Sequence, residues 1–418
     1  MTTESANAAL IADVQSLLED HARFQDPYPL YARARSTLPV TAVGSVRFAT
    51  SYKDVVALYR HEKLSRQQAA LAESAAHSRE TNDQTLKDAR AAWTRMMINQ
   101  DDPGHRRIRR ILEVAFRPTQ VAAWRSIMKR IADELVESVR GRERFDFRAE
   151  LAYPLPERII CALMGVPYED HALWGAWTDA VVASARTSKP SIETMAAVDE
   201  AHKNFYLYFR DLIAARRSGL ADDLVSLLIS AEDEDGNKLE ELEVLGSLQM
   251  LIQAGHETTA NLITNGMYTL LRHPDQYDLL RNDPSLVGSA IEEMLRYESP
   301  AHWSLPRIAL EDVIVDGGAV PRGSTVVLAL NAANRDPSMF DNPDMFDIRR
   351  KSNRHVAFAA GPHFCLGNQF ARLEASTMFH AIVTQLPRLK LDGQPRFKST
   401  FVRALDTLPV AIDYSMGR

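Results

Sequence analysis

One uninterrupted helical pattern, from Leu239 to about Leu271, constrains the fold of this chain more than any other feature. Apolar residues recur there at three- and four-residue spacing, after a turn with the sequence DEDGNK at 233–238. A helix of that length measures on the order of 50 Å, which is enough to cross a whole domain. His273 and Pro274 end the pattern, and a second helix is predicted over 284–297.

Helical periodicity also dominates the first two-thirds of the chain. The predicted helices lie at 8–19, 29–36, 53–59, 105–116 and 119–139. A polar stretch between Leu64 and Asp102 is predicted to be a long irregular connection with one or two short helices. In the last third, β-branched runs around glycine turns in 311–337 predict a small sheet. No repeat or Gly/Ser-rich linker divides the sequence, so residues 1–418 are predicted to form a single, mainly α domain with a minor β region.

Bulk composition excludes several classes of protein. The formal net charge of -6 and the pI of about 6.1 give no basis for a nucleic-acid partner. Two cysteines, Cys161 and Cys365, are too few for a disulfide framework and favour a reducing compartment. The N-terminal segment carries Glu4 and Asp13 instead of a basic start, and no stretch reaches the roughly 20 apolar residues of a membrane span. The sequence therefore predicts a cytoplasmic protein that is free of the membrane.

A cysteine-centred loop carries the strongest chemical signal. The segment 358–367 reads FAAGPHFCLG and leads into the helical pattern NQFARLEASTMFHAIV. A cysteine at a helix N-terminus lies where backbone N–H groups and the helix dipole favour the thiolate, although an unperturbed pKa of roughly 8.5 would leave it mostly protonated. Glycines on both sides allow the backbone to approach a flat ligand and to donate hydrogen bonds to the sulfur. A lone cysteine is usually a small buried apolar residue, but these neighbours at fixed offsets favour a ligand.

This segment resembles the heme-binding loop of the cytochrome P-450 family. The family's phenylalanine, glycine, basic residue, ligating cysteine and final glycine correspond to Phe358, Gly361, His363, Cys365 and Gly367. The resemblance implies that Cys365 is the axial thiolate ligand of heme b and that the other four residues contact the cofactor. A thiolate ligand pushes electron density onto the iron and favours O–O cleavage. One departure is visible, since Ala359 stands where the family often has glycine.

A glutamate and two arginines form a second match, independent of the first. Glu293 and Arg296 are three residues apart in a helical pattern and therefore share one face. Such a pair is usually a solvated ion pair, but together with Arg350 it resembles the family's buried glutamate–arginine–arginine network. The resemblance implies a structural role, in which the network locks the cysteine loop beneath the heme. An arginine fork suits bidentate pairing with a carboxylate in a dry site.

The sequence AGHETT at 254–259 is unusual for the middle of a long helix. Glycine and adjacent threonines are poor residues for a helix interior, and the glycine alone costs about 1 kcal/mol. A threonine hydroxyl there can bond the carbonyl four residues back and open the helix locally. The segment resembles the family's oxygen-activating segment, which makes Glu257 the proton-delivering acid and Thr258 the alcohol, with Asn261 in the same water network. The alternative is a glycine that allows close helix packing beside surface threonines.

Heme has two propionates, which require cations or hydrogen-bond donors. The resemblance implies that these come from His105, Arg109, Arg307 and His363. His105 and Arg109 are four residues apart on one predicted helix face and can reach one anion together, although an arginine taken singly is more often solvated. The similarity extends over essentially the whole chain, including DPYPLYARAR near the start and NRDP at 334–337. Chains of this size without an anchor look like the family's soluble bacterial type, and a monomer is expected.

The resemblance also places a substrate pocket, without naming the substrate. The residues expected to line the pocket lie around 93–97 and 174–187, in the long predicted helix at 239–271, and at 301–305 and 400–402. The individual candidates are Met250, Gln253, Ala254, His302, Trp303, Leu305 and Phe401. Trp303 and Leu305 are apolar, whereas Gln253 and His302 can bind a polar substituent. The substrate is therefore expected to be a small or medium-sized organic molecule, whose identity and site of oxidation stay open.

The matches together imply a monooxygenase that takes electrons from ferredoxin or flavodoxin and an NAD(P)H-dependent reductase. In the predicted helix 105–116, His105 and Arg109 are expected to face the heme, and Ile108, Leu112 and Ala115 are expected to be buried. An outward patch of four arginines is then available to steer an acidic electron donor, and its members are Arg106, Arg107, Arg110 and Arg117. The alternative is an ordinary solvated helix face.

Three other functions compete with this interpretation. One is a peroxygenase driven by hydrogen peroxide, whose relatives replace the acid–alcohol pair, and another is a heme-thiolate protein that binds ligands without turnover. Glu257 and Thr258 argue against both, because neither function uses a proton-delivering pair. The third is a cysteine hydrolase, but no base with an orienting partner is evident around Cys365.

Overall fold

The computed structural model describes residues 3–19, 25–77, 81–184, 191–397 and 402–413. Helices account for 61% of the chain and a smaller part forms sheets, so the predicted mainly α fold class is confirmed. Phe401 lies outside the described residues, as do residues 185–187 and 400 of the expected pocket lining. Within the described ranges, no helix is long and apolar enough to cross a membrane.

The helices are labelled in chain order. The first group is α1 (Thr3–Glu19), α2 (Tyr28–Thr37), α3 (Tyr52–Arg60), α4 (Arg66–His77), α5 (Gln84–Thr94), α6 (Gly104–Glu113), α7 (Pro118–Ala123), α8 (Arg125–Val139) and α9 (Pro154–Met164). The second group is α10 (His171–Ser184), α11 (Ile192–Ser218), α12 (Leu224–Ser230), α13 (Glu241–Gly255), α14 (Glu257–Arg272), α15 (Pro274–Asn282), α16 (Val287–Tyr297), α17 (Leu330–Ala333) and α18 (Asn368–Gln385). Short 3₁₀ turns include Met97–Asn99, Val114–Phe116, Pro284–Leu286 and Gly361–His363.

The strands are short and lie mostly near the two ends of the sequence. They are β1 (Val40–Val43), β2 (Val46–Ala49), β3 (Leu64–Ser65), β4 (Arg144–Asp146), β5 (Arg307–Ala309), β6 (Val313–Val315), β7 (Gly318–Val320), β8 (Thr325–Leu328), β9 (Arg388–Leu391) and β10 (Pro409–Asp413). Strands β6 to β8 lie in the β region predicted at 311–337 but do not form one sheet, because β6 pairs with β7 whereas β8 lies between β2 and β5. The strands elsewhere were not predicted, because runs of two to five residues carry little periodicity.

The chain divides into two compact units. The first comprises Met1–Leu64, Trp124–Pro156 and Glu257–Arg418, and the second comprises Ser65–Ala123 and Glu157–His256. The candidate residues divide between them, with Cys365, Glu293 and Glu257 in the first unit and His105 in the second. The single domain over residues 1–418 stays a prediction.

The first unit contains short-stranded sheets and four helices that pack against one another. Strands β1, β2, β8 and β5 lie side by side in that order, with β2 parallel to β8 and the other pairs antiparallel. Helix α14 packs against α16 and α18, and α18 also packs against α8. Gly266 permits the close approach, because a Cβ atom there would lie 2.6 Å from Met294 Sδ and 3.1 Å from Phe379 Cζ. The helix that begins with Glu257 is thereby held against the helices that carry Glu293 and follow Cys365.

The long helix predicted from Leu239 to about Leu271 is two helices in the structure. Helix α13 ends at Gly255 and α14 begins at Glu257, with His256 between them at φ -96° and ψ -50°. Single-helix continuity was therefore the wrong prediction, whereas the expected local opening at the AGHETT segment is present. The predicted end is correct, since α14 stops at Arg272 before His273.

The stretch between Leu64 and Asp102 is mostly helical, not an irregular connection. Helix α5 has a side-chain N-cap, because Asp83 accepts a hydrogen bond from the Leu86 N–H at 3.2 Å. Its buried face consists of Ala89 and Ala92. These small alanines give a weak apolar signal, which explains why the sequence pattern predicted only one or two short helices within an irregular connection.

A buried glutamate on α18 gives a test of stability against pH. Glu374 is 4% exposed, its Oε2 atom has no hydrogen-bond partner, and burial raises the pKa of its carboxyl group well above the ordinary value. A carboxyl group whose folded-state pKa is raised favours folding when protonated, and that contribution is lost as the pH rises toward the folded-state pKa. Glu374→Gln should therefore raise the free energy of unfolding by about 1–3 kcal/mol near neutral pH.

The measurement is the difference in thermal midpoint between Glu374→Gln and the unaltered protein at about pH 8 and about pH 4.5, the latter close to the unperturbed glutamate pKa. The difference should shrink at the lower pH, where the carboxyl group is protonated in the folded state and about half-protonated in the unfolded state. An equal difference at both pH values would contradict the buried neutral carboxyl.

Candidate active site

The cysteine loop folds back on itself before α18. The Cys365 N–H donates a hydrogen bond to the Phe358 carbonyl oxygen at 2.9 Å. The backbone is left-handed at Ala359, with φ 64°, and at Gly361, with φ 69°. A Cβ atom at Gly361 would lie 2.9 Å from the carbonyl oxygen of Tyr59, so this position requires glycine. Alanine at 359 costs about 1–2 kcal/mol in the left-handed region, which explains why glycine suits this position in the related loops.

The environments of the two cysteines differ. Within the described chain neither forms a disulfide. Cys161 is 2% exposed, and burial raises the pKa of its thiol to about 12, which keeps it protonated and unreactive. Cys365 is only partly buried and immediately precedes the N-terminus of the 18-residue helix α18. Helix N-termini favour a thiolate, so Cys365 is the cysteine suited to bind a metal.

The residues around Cys365 fit a heme. In the described parts of the chain, no group of three or more His, Cys, Asp or Glu side chains could hold a metal ion. Heme iron is held by its own ring nitrogens, so one thiolate from the protein is enough to complete an axial position. The partly exposed ring of Phe364 and the half-buried ring of Phe358 offer apolar surface for a flat macrocycle.

The glutamate and two arginines predicted to form a network are in contact. Glu293 is completely buried, and its carboxylate accepts hydrogen bonds from Arg296 Nε at 2.8 Å and Nη2 at 2.7 Å. Arg350 Nε lies 3.1 Å and 3.3 Å from the two carboxylate oxygens. The backbone N–H of Asp347 and the side chain of Asn353 donate to the same carboxylate at 2.9 Å and 3.1 Å.

The same arginines tie down the segment that precedes the cysteine loop. Arg296 donates to the carbonyl oxygens of Pro343 at 2.6 Å and Met345 at 2.9 Å. Arg350 donates to the carbonyl oxygens of Asp341 at 2.8 Å and Met345 at 3.1 Å. These charge-assisted hydrogen bonds hold residues 341–350 against α16. The implied locking of the cysteine loop beneath the heme stays a prediction.

Glu257 and Thr258 occupy the first turn of α14, and both are half-buried. Asn261 lies one turn further along and is completely buried. Its Oδ1 atom accepts a hydrogen bond from Arg148 Nη1 at 3.0 Å, and that guanidinium also lies 4.8 Å from the ring centroid of Tyr153. The buried Asn261 Nδ2 atom has no hydrogen-bond partner among the described residues, so its expected place in a water network with Thr258 stays a prediction.

The residues expected near the propionates divide between the two units. In the first unit, Arg307 on β5 is 5% exposed with its guanidinium 4.7 Å from the ring centroid of Tyr59, and His363 is half-buried in the cysteine loop. In the second unit, His105 is 2% exposed, and burial lowers the pKa of its imidazole, so it is neutral at neutral pH. Arg109 pairs with Glu113 at 2.8 Å.

Two residues expected to line the substrate pocket are part of a buried hydrogen-bond network. Trp303 Nε1 donates to the Tyr31 hydroxyl at 2.9 Å, and His302 Nε2 lies 2.6 Å from the same oxygen. His302 Nδ1 lies 3.0 Å from Asn331 Nδ2. His302 and Trp303 are 4% and 6% exposed, so these contacts favour a structural role, and the expected contact with substrate stays a prediction.

The remaining pocket candidates differ in how deeply they are buried. On α13, Met250 is buried, Gln253 is half-buried and Ala254 is exposed. The Gln253 Nε2 atom is buried without a hydrogen-bond partner, which leaves it available to a polar group. Leu305 in the first unit is half-buried.

The arginine patch on α6 is weaker than the sequence suggested. Arg106 pairs with Asp102 at 2.7 Å, and Arg107 pairs with Glu243. Arg106, Arg110 and Arg117 are exposed, as expected for an outward face. Ile108 and Leu112 are buried as predicted, whereas Ala115 is only half-buried because α6 ends at Glu113 and continues as a 3₁₀ turn.

Comparisons with known proteins agree with the geometry. The family model described as Cytochrome P450 matches residues 45–399. Cytochrome P450 monooxygenase PikC of Streptomyces venezuelae is 38% identical over 407 residues, which cover 96% of this chain and 94% of that protein. Vitamin D(3) 25-hydroxylase of Pseudonocardia autotrophica is 36% identical over 93% of this chain and 94% of that protein. The solved structure of P450BioI in complex with hexadec-9Z-enoic acid ligated acyl carrier protein has a TM-score of 0.83 and 32% identity, covering 93% of this chain and 99% of that chain.

Proposed function

This chain belongs to the cytochrome P450 family of heme-dependent oxidoreductases, and we propose that Cys365 is its thiolate ligand. The proposed reaction inserts one oxygen atom of dioxygen into a small or medium-sized organic substrate, with electrons from a separate ferredoxin-type protein. The observation that carries the proposal is the partly exposed Cys365 at the N-terminus of α18, in a loop closed by its hydrogen bond to Phe358. The monomeric state and the cytoplasmic location stay predictions from the sequence.

The protein's contribution to this chemistry is to hold the thiolate and to move protons. Heme, when bound, supplies the iron at which dioxygen is reduced and split. Cys365 is proposed to act as the thiolate, which a nearby helix N-terminus favours, and the Glu293 network holds residues 341–350, which precede the cysteine loop. His105, Arg109, Arg307 and His363 are proposed to hold the two propionates.

Glu257 and Thr258 are the proposed proton-delivery pair. They lie in the first turn of α14, directly after the break at His256, whose Nδ1 atom is 3.0 Å from the carbonyl oxygen of Ile252. The Glu257 carboxyl group is proposed to supply the proton, and the Thr258 hydroxyl to hold the water or oxygen that receives it. A heme protein that only binds ligands would need neither group.

Consumption of NADH is the direct test of this reaction. A compound that shifts the heme spectrum of the purified protein should be oxidised when NADH, ferredoxin and ferredoxin reductase are supplied with air, and NADH use should rise with that compound. Oxidation that proceeds with hydrogen peroxide alone, at the same rate without the electron donors, would instead establish a peroxygenase. Binding without either reaction would establish a ligand-binding protein.

The outward face of α6 is the proposed docking surface for the electron donor. Its exposed arginines, Arg106 and Arg110, would steer an acidic ferredoxin or flavodoxin mainly through the association rate. Arg106→Glu with Arg110→Glu should therefore slow the first electron transfer strongly at low ionic strength and much less at high ionic strength. The matched control is Lys129→Glu with Arg130→Glu, which makes the same change of charge on exposed positions of α8.

The rate of the first electron transfer is measured by stopped-flow reduction of the substrate-bound protein at two salt concentrations. If the α6 double variant and the α8 control keep the same rates and the same salt dependence, the donor does not dock on α6. The heme assignment is independent of that outcome.

A further inference from the structure

Glu292 is adjacent to Glu293 in the sequence but bonds to a different set of residues. Its carboxylate accepts hydrogen bonds from Arg372 Nε at 2.6 Å and Nη2 at 3.0 Å. His355 Nε2 lies 3.2 Å from the same carboxylate. Although burial alone would raise it, the hydrogen bonds from His355 and Arg372 lower the pKa of Glu292 to about 2. Glu292 is therefore ionised at every physiological pH.

The protonation of His355 follows from its second nitrogen. The backbone N–H of Ala357 lies 3.2 Å from His355 Nδ1 and can only donate, so Nδ1 is the acceptor. The proton of the neutral ring is then on Nε2, which donates it to Glu292. His355 in this way connects Glu292 to the backbone at the start of the cysteine loop.

Arg372 connects Glu292 to the other end of the loop. Its Nη1 atom donates to Asn368 Oδ1 at 2.8 Å, and Asn368 Nδ2 donates to the carbonyl oxygen of Cys365 at 2.8 Å. The Arg372 guanidinium also lies 4.5 Å from the ring centroid of Phe358. One partly buried ion pair thus reaches both ends of the segment that carries the cysteine.

We propose that Glu292, His355 and Arg372 form a second anchor of the cysteine loop, separate from the Glu293 network, which positions the Cys365 thiolate toward the heme iron. This inference rests on the proposed function of Cys365. The three are positioning residues, because their contacts reach Cys365 through Asn368 and through the loop backbone. The Glu293 network holds residues 341–350, whereas the Glu292 anchor holds the loop itself.

Loss of the anchor should weaken both the ligation of the heme iron by Cys365 and the retention of the heme. Partners that orient a metal ligand typically contribute 10–100-fold to metal affinity or activity. In the heme-loaded Arg372→Leu variant, heme transfer to excess apomyoglobin should therefore be roughly 10–100-fold faster than in the unaltered protein. Part of its ferrous carbon-monoxide complex should also lose the thiolate-type, red-shifted Soret band. Arg372→Lys keeps the positive charge but not the planar guanidinium. It should show a smaller increase in heme transfer and a smaller loss of the Soret band than Arg372→Leu.

A matched control separates positioning from general stability. Arg388→Leu removes a cation of similar burial, which pairs with Asp278 at 3.3 Å instead of with Glu292. It should lower the thermal midpoint comparably and leave heme transfer and the Soret band unchanged. Equal effects of Arg372→Leu and Arg388→Leu on heme transfer and spectrum would overturn the proposed anchor.

A second variant covers the case in which Arg372→Leu does not fold. Asn368→Ala removes the hydrogen bonds of this side chain to Arg372 and to the Cys365 carbonyl but keeps the Glu292–Arg372 ion pair, and it should speed heme transfer by a smaller factor. Unaltered heme transfer and spectrum in Asn368→Ala would also count against the anchor. If the unaltered protein itself lacks the thiolate-type band, the proposed function fails, and that result is distinct from failure of the anchor alone.

Discussion

Thr258→Ala is expected to bind substrate as well as the unaltered protein while diverting reducing equivalents from product to hydrogen peroxide. The hydroxyl lies in the first turn of α14, beyond the helix break, where it is proposed to hold the group that receives the proton. Glu257→Gln removes the proton source itself. Loss of one positioned proton-transfer group costs roughly 10²–10⁴-fold in rate, so product formation should fall by that factor. NADH consumption, product and peroxide are measured together.

Thr264→Ala is the matched control, because it removes another threonine hydroxyl from the same helix. Thr264 is buried, and its hydroxyl donates to the Ala260 carbonyl oxygen at 2.7 Å, one turn back along α14. This variant should keep the rate and the coupling of NADH to product. Unchanged rate and coupling in both Thr258→Ala and Glu257→Gln would show that protons arrive by another route.

Glu293→Ala should be among the most destabilising single substitutions in this chain. It leaves Arg296, which is completely buried, and the largely buried Arg350 without their shared carboxylate. Breaking a buried ion pair by removing one partner typically costs about 3–5 kcal/mol. The free energy of unfolding of the heme-loaded protein should fall by that amount. Glu293→Gln, which keeps the shape and hydrogen-bond acceptor, should lose less.

Glu134→Ala provides the comparison at an exposed ion pair. Glu134 pairs with Arg130 at 2.8 Å on the outer face of α8, and both side chains are well exposed. Such pairs contribute about 0.3–0.5 kcal/mol, so the midpoint of denaturant unfolding should scarcely move. If Glu293→Ala and Glu134→Ala shift the midpoint equally, the buried network does not stabilise the fold as its geometry implies.

The parts of the site that depend on local sequence could be predicted. The loop 358–367 could be recognised because glycines and an adjacent helical pattern are local features, and the left-handed backbone at Ala359 and Gly361 agrees with a tight loop. Glu293 and Arg296 share a helix face by their spacing alone. Only the resemblance linked Arg350 to them, 57 residues from Glu293.

The parts that depend on contacts between distant segments could not be predicted. The hydrogen bond between Trp303 and Tyr31 spans 272 residues, and no spacing rule signals such a pair. Glu292 was missed for the same reason, since Arg372 and His355 are 80 and 63 residues away. The only local signal for Glu292 was its position in the sequence, directly before Glu293.

Helix α5 shows a different limit. A face of alanines gives almost no hydrophobic contrast, yet it permits very close packing. A Cβ atom at Gly246 of α13 would lie 2.4 Å from the carbonyl oxygen of Ala92. Small residues on both helices thus allow this close packing. The periodicity of large apolar residues, on which the sequence prediction depends, does not reveal such a contact.

The ferrous carbon-monoxide spectrum tests the central claim, that Cys365 is a thiolate ligand to heme iron, most directly. The unaltered, heme-loaded protein should show the strongly red-shifted Soret band of thiolate ligation, and Cys365→His should bind heme but lose that band. Cys161→Ala is the control, since this buried cysteine should leave the band unchanged. Persistence of the red-shifted band in Cys365→His, or its absence from the unaltered protein, would contradict the account.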